Sequence, residues 1–291
     1  VFGEAGSLKF DVIREAHAGL LGSNVFLFGM LFVFAGLAFK ISAFPFQIWA
    51  PDVYQGAPTP TTTFLAVGSK AAGFVLLIRL FGSVVPELTA QWTSMLMVVA
   101  ALTILYGNLC ALPQRNLKRL LAYSGIANAG YLLMGIVAQS REGTVAILYH
   151  LAGYLFTLVA AFMIINLLTR EGEGEDISCL AGLNKRSPFL ALALTLCAVS
   201  LAGIPPLAGF FGKFLLVKSV AAKAFGDVGY FALLAVAVFG VVVSIYYYFG
   251  IIRTIYWSKD TPDNSPVAIA WPTRIVLGLC VAAILYLGLL P

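Results

Sequence analysis

Charged residues are scarce in this sequence. Asp, Glu, Lys and Arg make up 11% of the 291 residues, whereas hydrophobic residues make up 60%. Soluble domains are about 25% charged and about 45–50% apolar. A surface this poor in charge excludes a chain that folds in water, so the scarcity indicates a protein whose solvent is lipid.

Paired cysteines and nucleotide-binding motifs are also absent. Cys110, Cys179, Cys197 and Cys280 never form C-x-x-C, and their spacing favours neither a zinc site nor an iron–sulfur cluster. There is no Walker loop, no dinucleotide glycine fingerprint, no H-E-x-x-H motif and no nucleophile elbow. The acidic segment 171–176 is interpreted as a solvated loop. We therefore expect no metal, no bound cofactor and no electron carrier in this chain.

The basic residues outnumber the acidic ones, 18 against 13. They are scattered singly or in small groups between apolar runs, which indicates loop charges and not a nucleic-acid-binding surface. We therefore expect the lipid bilayer, and no nucleic acid, as a partner.

Eight apolar runs are long enough to cross a hydrocarbon core of about 30 Å, which takes roughly 20 helical residues. The runs lack the period-2 alternation of a barrel strand, so they predict helices. The expected fold class is an all-α polytopic membrane protein, with residues 23–291 as the transmembrane domain and 1–22 as a loop before the first span. The runs cover about 24–55, 60–82, 92–112, 118–138, 144–169, 188–217, 227–257 and 271–290.

The chain opens at Val1 in a polar stretch, without an initiator methionine. From this opening we expect an N-terminal truncation.

Two of the eight runs contain helix breaks. Pro45 interrupts the first run, and Pro205 with Pro206 interrupts the sixth. Proline removes a backbone donor, so a break at membrane depth needs protein or a water-filled cavity to satisfy the freed groups, and paired breaks are typical of an ion path. The odd offset of five spans predicts opposite directions, as in an inverted repeat. Ordinary proline kinks are the alternative.

The distribution of Lys and Arg predicts the orientation. The side on which the first span begins, side A, has six of them, and the opposite side B has nine, so side B is predicted to be cytoplasmic. The side A residues are Lys9, Arg14, Arg79, Arg141, Lys218 and Lys223. The side B residues are Arg115, Lys118, Arg119, Arg170, Lys185, Arg186, Arg253, Lys259 and Arg274.

Three lysines, Lys40, Lys70 and Lys213, lie inside apolar runs. An ionisable group at bilayer depth costs at least about 2.5–3.5 kcal/mol and marks function by default. Burial disfavours the charged form of lysine, so such a residue can exchange a proton near neutral pH, which arginine cannot do. All thirteen acidic residues lie in loops or at span ends. The alternative for each lysine is snorkelling to an interface.

Small residues surround the three lysines, and polar side chains recur at i, i+4, i+7 on the fourth and fifth spans. Small residues allow close helix packing and also leave room for water. The i, i+4, i+7 spacing puts polar groups on one helix face, where a histidine suits a proton relay; interhelical hydrogen bonding is the alternative. The small residues include Gly68, Gly73, Gly36, Gly209 and Gly212, and the polar residues are Ser124, Asn128, Tyr131, His150, Tyr154 and Thr157.

Three motifs carry a family resemblance: FKISAFPFQIWAPDVYQGAPTP at 39–60, NLKRLLAYS at 116–124 and SLAGIPPLAGFFGKF at 200–214. They resemble the subunit N family of bacterial NADH:quinone oxidoreductase (respiratory complex I), the proton-translocating, antiporter-like membrane subunits. The first motif is highly specific, and the likeness covers essentially the whole chain. The chain looks like the last eight of fourteen core helices with inverted repeats.

The resemblance implies a membrane-arm subunit in the bacterial inner membrane that translocates protons, driven by quinone reduction elsewhere in the complex. It implies flavin and iron–sulfur clusters in other subunits only. Lys40, Lys70 and Lys213 match the family's three key lysines. The family pairs the first of these with a glutamate on an earlier helix, which this chain lacks, and Asn128 stands where relatives often have histidine.

The resulting hypothesis is a proton path from side B to Lys70, then through water held by Ser124, Asn128, Tyr131, His150 and Tyr154, and out past Lys213. Lys40 and an acidic partner act as the switch. The alternatives are a stand-alone or Mrp-type cation/proton antiporter subunit and a structural spacer in the membrane arm.

Overall fold

The computed structural model describes residues 1–170, 174–258 and 266–290. Within these ranges the regular elements are helical, and seven helices are long and apolar enough to cross a membrane. A shorter apolar helix, Pro188–Ala202, is followed after a break by Ala208–Ala221. The fold class predicted from the sequence is confirmed.

The α-helices are named here in chain order. They are α1 (Phe2–Ala5), α2 (Phe10–Leu20), α3 (Asn24–Ile41), α4 (Trp49–Gly56), α5 (Thr59–Phe64), α6 (Lys70–Arg79), α7 (Pro86–Gln91), α8 (Thr93–Ala111), α9 (Leu117–Val137), α10 (Arg141–Arg170), α11 (Leu183–Arg186), α12 (Pro188–Ala202), α13 (Ala208–Ala221), α14 (Val228–Trp257) and α15 (Trp271–Leu289).

Residues 1–22 differ from the loop that the sequence predicted, because they contain α1 and α2. The helix α2 buries Ile13 and leaves its charged side chains Asp11 and Arg14 exposed. The polar composition of this segment predicted a loop, but the segment is a helix with one apolar face. Ser23 then starts α3, since its hydroxyl accepts a hydrogen bond from the Phe26 backbone N–H at 3.3 Å.

The two predicted breaks lie between α3 and α4 and between α12 and α13. Each upstream helix ends at a residue in the left-handed conformation, Ser42 with φ 62° and Gly203 with φ 83°. Proline follows in both cases and cannot continue the helix.

The helix α9 lies at the centre of the bundle. Every one of its residues except Arg119 is buried, and it packs against α4, α8, α10 and α13. A helix covered on all sides by protein can hold polar groups away from lipid. This position places the polar stripe of α9 next to the helices that bear Lys70 and Lys213.

The second span is not a uniform α-helix. Between α5 and α6 the segment Leu65–Ser69 is a π-helix, and a second π segment, Leu80–Val84, follows α6. The widened π turn is rare and occurs frequently at functional sites. The first π segment ends directly before Lys70.

Candidate functional site

Lys70 is buried in the centre of the protein, with 2% of its surface exposed. Its ammonium donates a hydrogen bond to the Gly125 carbonyl oxygen of α9 at 2.6 Å. A snorkelling lysine would extend to the membrane surface, whereas this side chain ends inside the bundle. No carboxylate pairs with Lys70 among the described residues.

A glycine keeps Lys70 close to Tyr154 of α10. A Cβ at Gly125 would lie 3.1 Å from the Lys70 ammonium and 3.1 Å from the Tyr154 hydroxyl. The ammonium also lies 5.9 Å from the centre of the Tyr154 ring. The missing side chain of Gly125 therefore lets these two polar groups share one space.

Lys213 binds the carbonyl groups that the proline pair leaves free. In a continuous helix the carbonyls of Leu201 and Ala202 would accept from residues 205 and 206, which are both proline and have no N–H. The Lys213 ammonium donates to them instead, at 2.7 Å and 3.3 Å. The side chain is 5% exposed. The break and the lysine thus form one site, in which neutral carbonyl dipoles surround the ammonium.

Tyr131 and Ser124 of α9 make hydrogen bonds to α14. The Tyr131 hydroxyl donates to the Ala237 carbonyl at 2.9 Å, and its ring centre lies 5.1 Å from the Lys213 ammonium. The Ser124 hydroxyl is hydrogen-bonded to the Tyr248 hydroxyl. These two members of the polar stripe therefore join α9 to α14, and Tyr131 also lies beside Lys213.

His150 and Tyr154 of α10 are buried without a hydrogen-bond partner among the described residues: neither nitrogen of His150 has one, and the Tyr154 hydroxyl has none. Their rings are stacked with centres 6.0 Å apart. Both side chains line a small cavity of about 10 Å³, roughly the room that one water needs. The cavity is lined by Asn128, His150, Tyr154, Thr157, Ser200, Leu201, Gly209 and Lys213.

Asn128 and Thr157 complete the polar wall of this cavity. The Asn128 amide donates to the Ser124 carbonyl at 2.9 Å, and the Thr157 hydroxyl donates to the Gly153 carbonyl at 2.7 Å. Both bonds lie within one helix, and the Thr157 hydroxyl also lies 3.4 Å from the Ser200 hydroxyl of α12.

Lys40 lies in the last turn of α3, and its side chain is exposed at the surface of this chain. Its aliphatic part packs over α6, since a Cβ at Gly73 would lie 3.6 Å from Lys40 Cγ. Gly73 follows Lys70 by three residues, about one helical turn. The first two lysines are therefore on adjacent helices, with Lys40 on the outer side.

The sequence reasoning missed a fourth lysine, Lys118, which it counted among the side B loop charges. Lys118 is 5% exposed, pairs with Glu175 at 2.5 Å and donates to the Ala57 carbonyl at 3.1 Å. Its neighbour Arg119 pairs with Asp52 at 2.5 Å. Both basic residues belong to the NLKRLLAYS motif. Their contacts connect that motif to α4 and to Ala57, which follows α4. The position of Lys118 in the first turn of an apolar helix was the available signal.

The acidic segment 171–176 lies partly outside the described residues, at 171–173. Of the rest, Glu175 pairs with Lys118, and the Asp176 side chain accepts a hydrogen bond from the Ser178 N–H at 2.9 Å. Across the described ranges no three His, Cys, Asp or Glu side chains come together as metal ligands.

A bundle of long apolar helices with two breaks and two buried lysines defines a class, the polytopic α-helical membrane proteins. The family model described as "NADH:quinone oxidoreductase/Mrp antiporter, TM" matches residues 1–245. The chain belongs to this family.

Curated relatives and solved structures extend the match over the whole chain. The NADH-quinone oxidoreductase subunit N of Moorella thermoacetica is 40% identical over 291 residues, which cover 100% of this chain and 60% of the relative. A chain of respiratory complex I from Thermus thermophilus is 34% identical with a TM-score of 0.77, covering 100% of this chain and 61% of that one. A chain of the Mrp complex from a Dietzia species shares the fold, with a TM-score of 0.85 at 19% identity over 99% and 60% of the two chains. The chain thus spans about 60% of the length of the relatives that it matches.

Proposed function

We propose that the protein is a proton-translocating membrane-arm subunit of NADH:quinone oxidoreductase in the bacterial inner membrane, where it contacts other membrane-arm subunits. The family and the relatives named subunit N support this assignment. The chain itself carries no redox cofactor in this proposal, since flavin, clusters and the quinone site belong to other subunits.

The observation that carries the proposal is the pair of buried lysines that bind carbonyl oxygens and no carboxylate. An ammonium held by neutral dipoles in the protein interior is only weakly stabilised relative to the neutral amine, because burial penalises the charge. Such a group gains and loses a proton more readily than one fixed by an ion pair.

The residues between the two lysines define the proposed route. A proton enters from side B, reaches Lys70, and passes to the space shared with Tyr154. From there it moves past the stacked His150 and one water in the 10 Å³ cavity to Lys213. Ser124, Asn128 and Tyr131 have a supporting role, since they hold the cavity wall and the contact with α14.

Lys40 is the switch in this proposal. Lys40 lies on the helix next to Lys70, and its side chain packs over Gly73, which is one turn from Lys70. When an acidic partner releases Lys40, its positive charge repels the proton on Lys70. Moving one charge against 100 mV costs about 2.3 kcal/mol, so the distant exergonic reduction of quinone must supply the energy.

The test is Lys70→Met in the full-length protein, in membranes that contain the whole complex. NADH-driven proton pumping and the NADH:quinone reductase rate are measured together, and assembly is checked by native electrophoresis. We expect both rates to fall while the complex assembles, because methionine fills the site but cannot carry a proton.

The matched control is Lys9→Met, an exposed lysine before the first span, which should leave both rates unchanged. Normal pumping by the Lys70→Met complex would favour the structural-spacer alternative. The family description and the fold shared with the Mrp chain are consistent with the antiporter alternative. That alternative requires sodium–proton exchange in vesicles that contain the purified protein alone.

A further inference from the structure

A groove on side A runs between the start of α10 and the end of α13. It encloses about 690 Å³, and its rim is formed by three cations, Arg141, Lys218 and Lys223, with one carboxylate, Glu142. These are half of the six basic residues that the sequence assigns to side A. Half of the basic residues predicted on side A therefore lie around this one groove.

The three cations have no partner among the residues that the structure describes. None of them makes an ion pair or a side-chain hydrogen bond within the described ranges, and all three side chains are exposed. Even if Glu142 is counted against them, the rim keeps a surplus of two positive charges. Clustered like charges repel one another, so an external anion would stabilise the rim.

The wall of the groove below the rim is apolar. Val145 is 54% exposed there, and Leu215 is partly buried beside it. Val145 belongs to the candidate membrane span of α10, and Leu215 belongs to the shorter helix α13, so this wall has the polarity that acyl chains prefer. A ligand for the groove must combine an anionic group at the membrane surface with a long apolar tail.

We infer that this groove binds an anionic phospholipid, with its phosphate among Arg141, Lys218 and Lys223 and an acyl chain along Val145 and Leu215. Lys218 follows Lys213 on α13 by five residues, so the lipid phosphate would lie near the side A end of the helix that carries the second lysine. The inference concerns lipid binding alone and does not depend on proton translocation.

The experiment uses the full-length protein in its membrane complex, reconstituted with a phosphatidylglycerol probe that has a photoreactive diazirine in the acyl chain. After irradiation, labelled peptides are identified by mass spectrometry. We expect label on the segments around Val145 and Leu215. Unlabelled phosphatidylglycerol should remove it, and phosphatidylcholine should not. This competition is measured on the unmodified protein, so it does not depend on the folding of a variant.

The variant that tests the charges is the triple substitution Arg141→Gln, Lys218→Gln and Lys223→Gln. Labelling should fall roughly fivefold for each cation removed, the ratio expected for basic residues at an anionic surface. The control triple Lys9→Gln, Lys185→Gln and Arg253→Gln removes the same charge from exposed positions elsewhere and should leave the label in place.

Equal competition by both lipids would overturn the inference, as would unchanged labelling of the triple variant. A carbodiimide cross-link from Lys218 to a carboxylate of a neighbouring subunit, with no lipid label, would also overturn it, since a protein would then occupy the groove.

Discussion

Proline interrupts both broken helices, but the backbone groups at the two breaks have different hydrogen-bond partners. In the first break, the Phe39 carbonyl accepts a hydrogen bond from the Trp49 indole at 3.0 Å, and the Phe44 N–H is accepted by the Thr103 hydroxyl at 3.0 Å. The adjacent Lys40 side chain remains exposed. In the second break the freed carbonyls are bound by the buried ammonium of Lys213.

The difference lies in the group that hydrogen-bonds to the break. The Trp49 indole donates and the Thr103 hydroxyl accepts, and both groups are neutral. The Lys213 amine is a base, so in the proposed route its hydrogen bonds to the break change when it loses its proton. The first break is thus held by neutral groups, and the second is held by a basic group.

The largest expected effect comes from replacing that basic group. Lys213→Met removes the hydrogen bonds to both carbonyls and the amine that is proposed to carry the proton. Lys213→Arg keeps a hydrogen-bond donor that stays charged. We expect NADH-driven pumping to fall to background in both full-length variants. The methionine variant should also lose about 1–3 kcal/mol of stability, since the Leu201 carbonyl loses its partner while the Ala202 carbonyl keeps the Ser244 hydroxyl at 3.4 Å.

Pumping assays and thermal unfolding of the detergent-solubilised protein separate the two effects. If the arginine variant pumps at the normal rate, proton release from this position is not required, and the second break is structural like the first.

The next largest effect concerns the packing of the second break. A Cβ at Gly209 would lie 1.8 Å from the Ser200 carbonyl oxygen, whereas a Cβ at Gly36, in the first broken helix, meets nothing within 4 Å. Gly209→Ala should therefore cost about 3 kcal/mol or more. Gly36→Ala should stabilise its helix by about 0.5–1 kcal/mol. Denaturant unfolding of both variants measures the contrast, and an equal response would mean that the two breaks are packed alike.

The smallest effect tests the neutral hydrogen-bonding groups of the first break. Thr103→Val keeps the shape but leaves the partly buried Phe44 N–H without its acceptor, which should cost about 1–2 kcal/mol. Thr254→Val is the matched control, because among the described residues the Thr254 hydroxyl bonds only to the Gly250 carbonyl of its own helix, and it should change stability by less than about 0.5 kcal/mol. Proton pumping should survive in both. Loss of pumping by Thr103→Val would show that the first break also takes part in translocation.

The sequence predicted the spans and the breaks because both follow from local rules. A run of about 20 apolar residues must be a helix in lipid, and Pro45, Pro205 and Pro206 remove donors wherever they occur. Lys70 and Lys213 were predictable inside the spans for the same reason, since a charge in an apolar run is visible without knowledge of the neighbours.

Other features depend on partners that are distant in the chain. The π segment before Lys70 contains no proline and has no local signal. The pairs Ser124–Tyr248 and Lys118–Glu175 join residues more than 50 positions apart, and the sequence does not specify which helices meet. The helix α2 was missed because its polar face outweighs its few buried residues.

The two carbonyl groups that bind Lys213 have a further consequence, which concerns the electrostatic interaction between sites. A lysine paired with a carboxylate changes the site from neutral to negative when it loses its proton, whereas a lysine held by neutral carbonyls changes it from positive to neutral. The electrostatic charge of the site therefore reports directly whether a proton is loaded. At roughly 15 Å and an effective dielectric constant near 20, one such unit charge acts on another with about 1 kcal/mol. In the proposed route, the loss of a proton from one lysine would therefore act on the next through the electric field, without any movement of the helices.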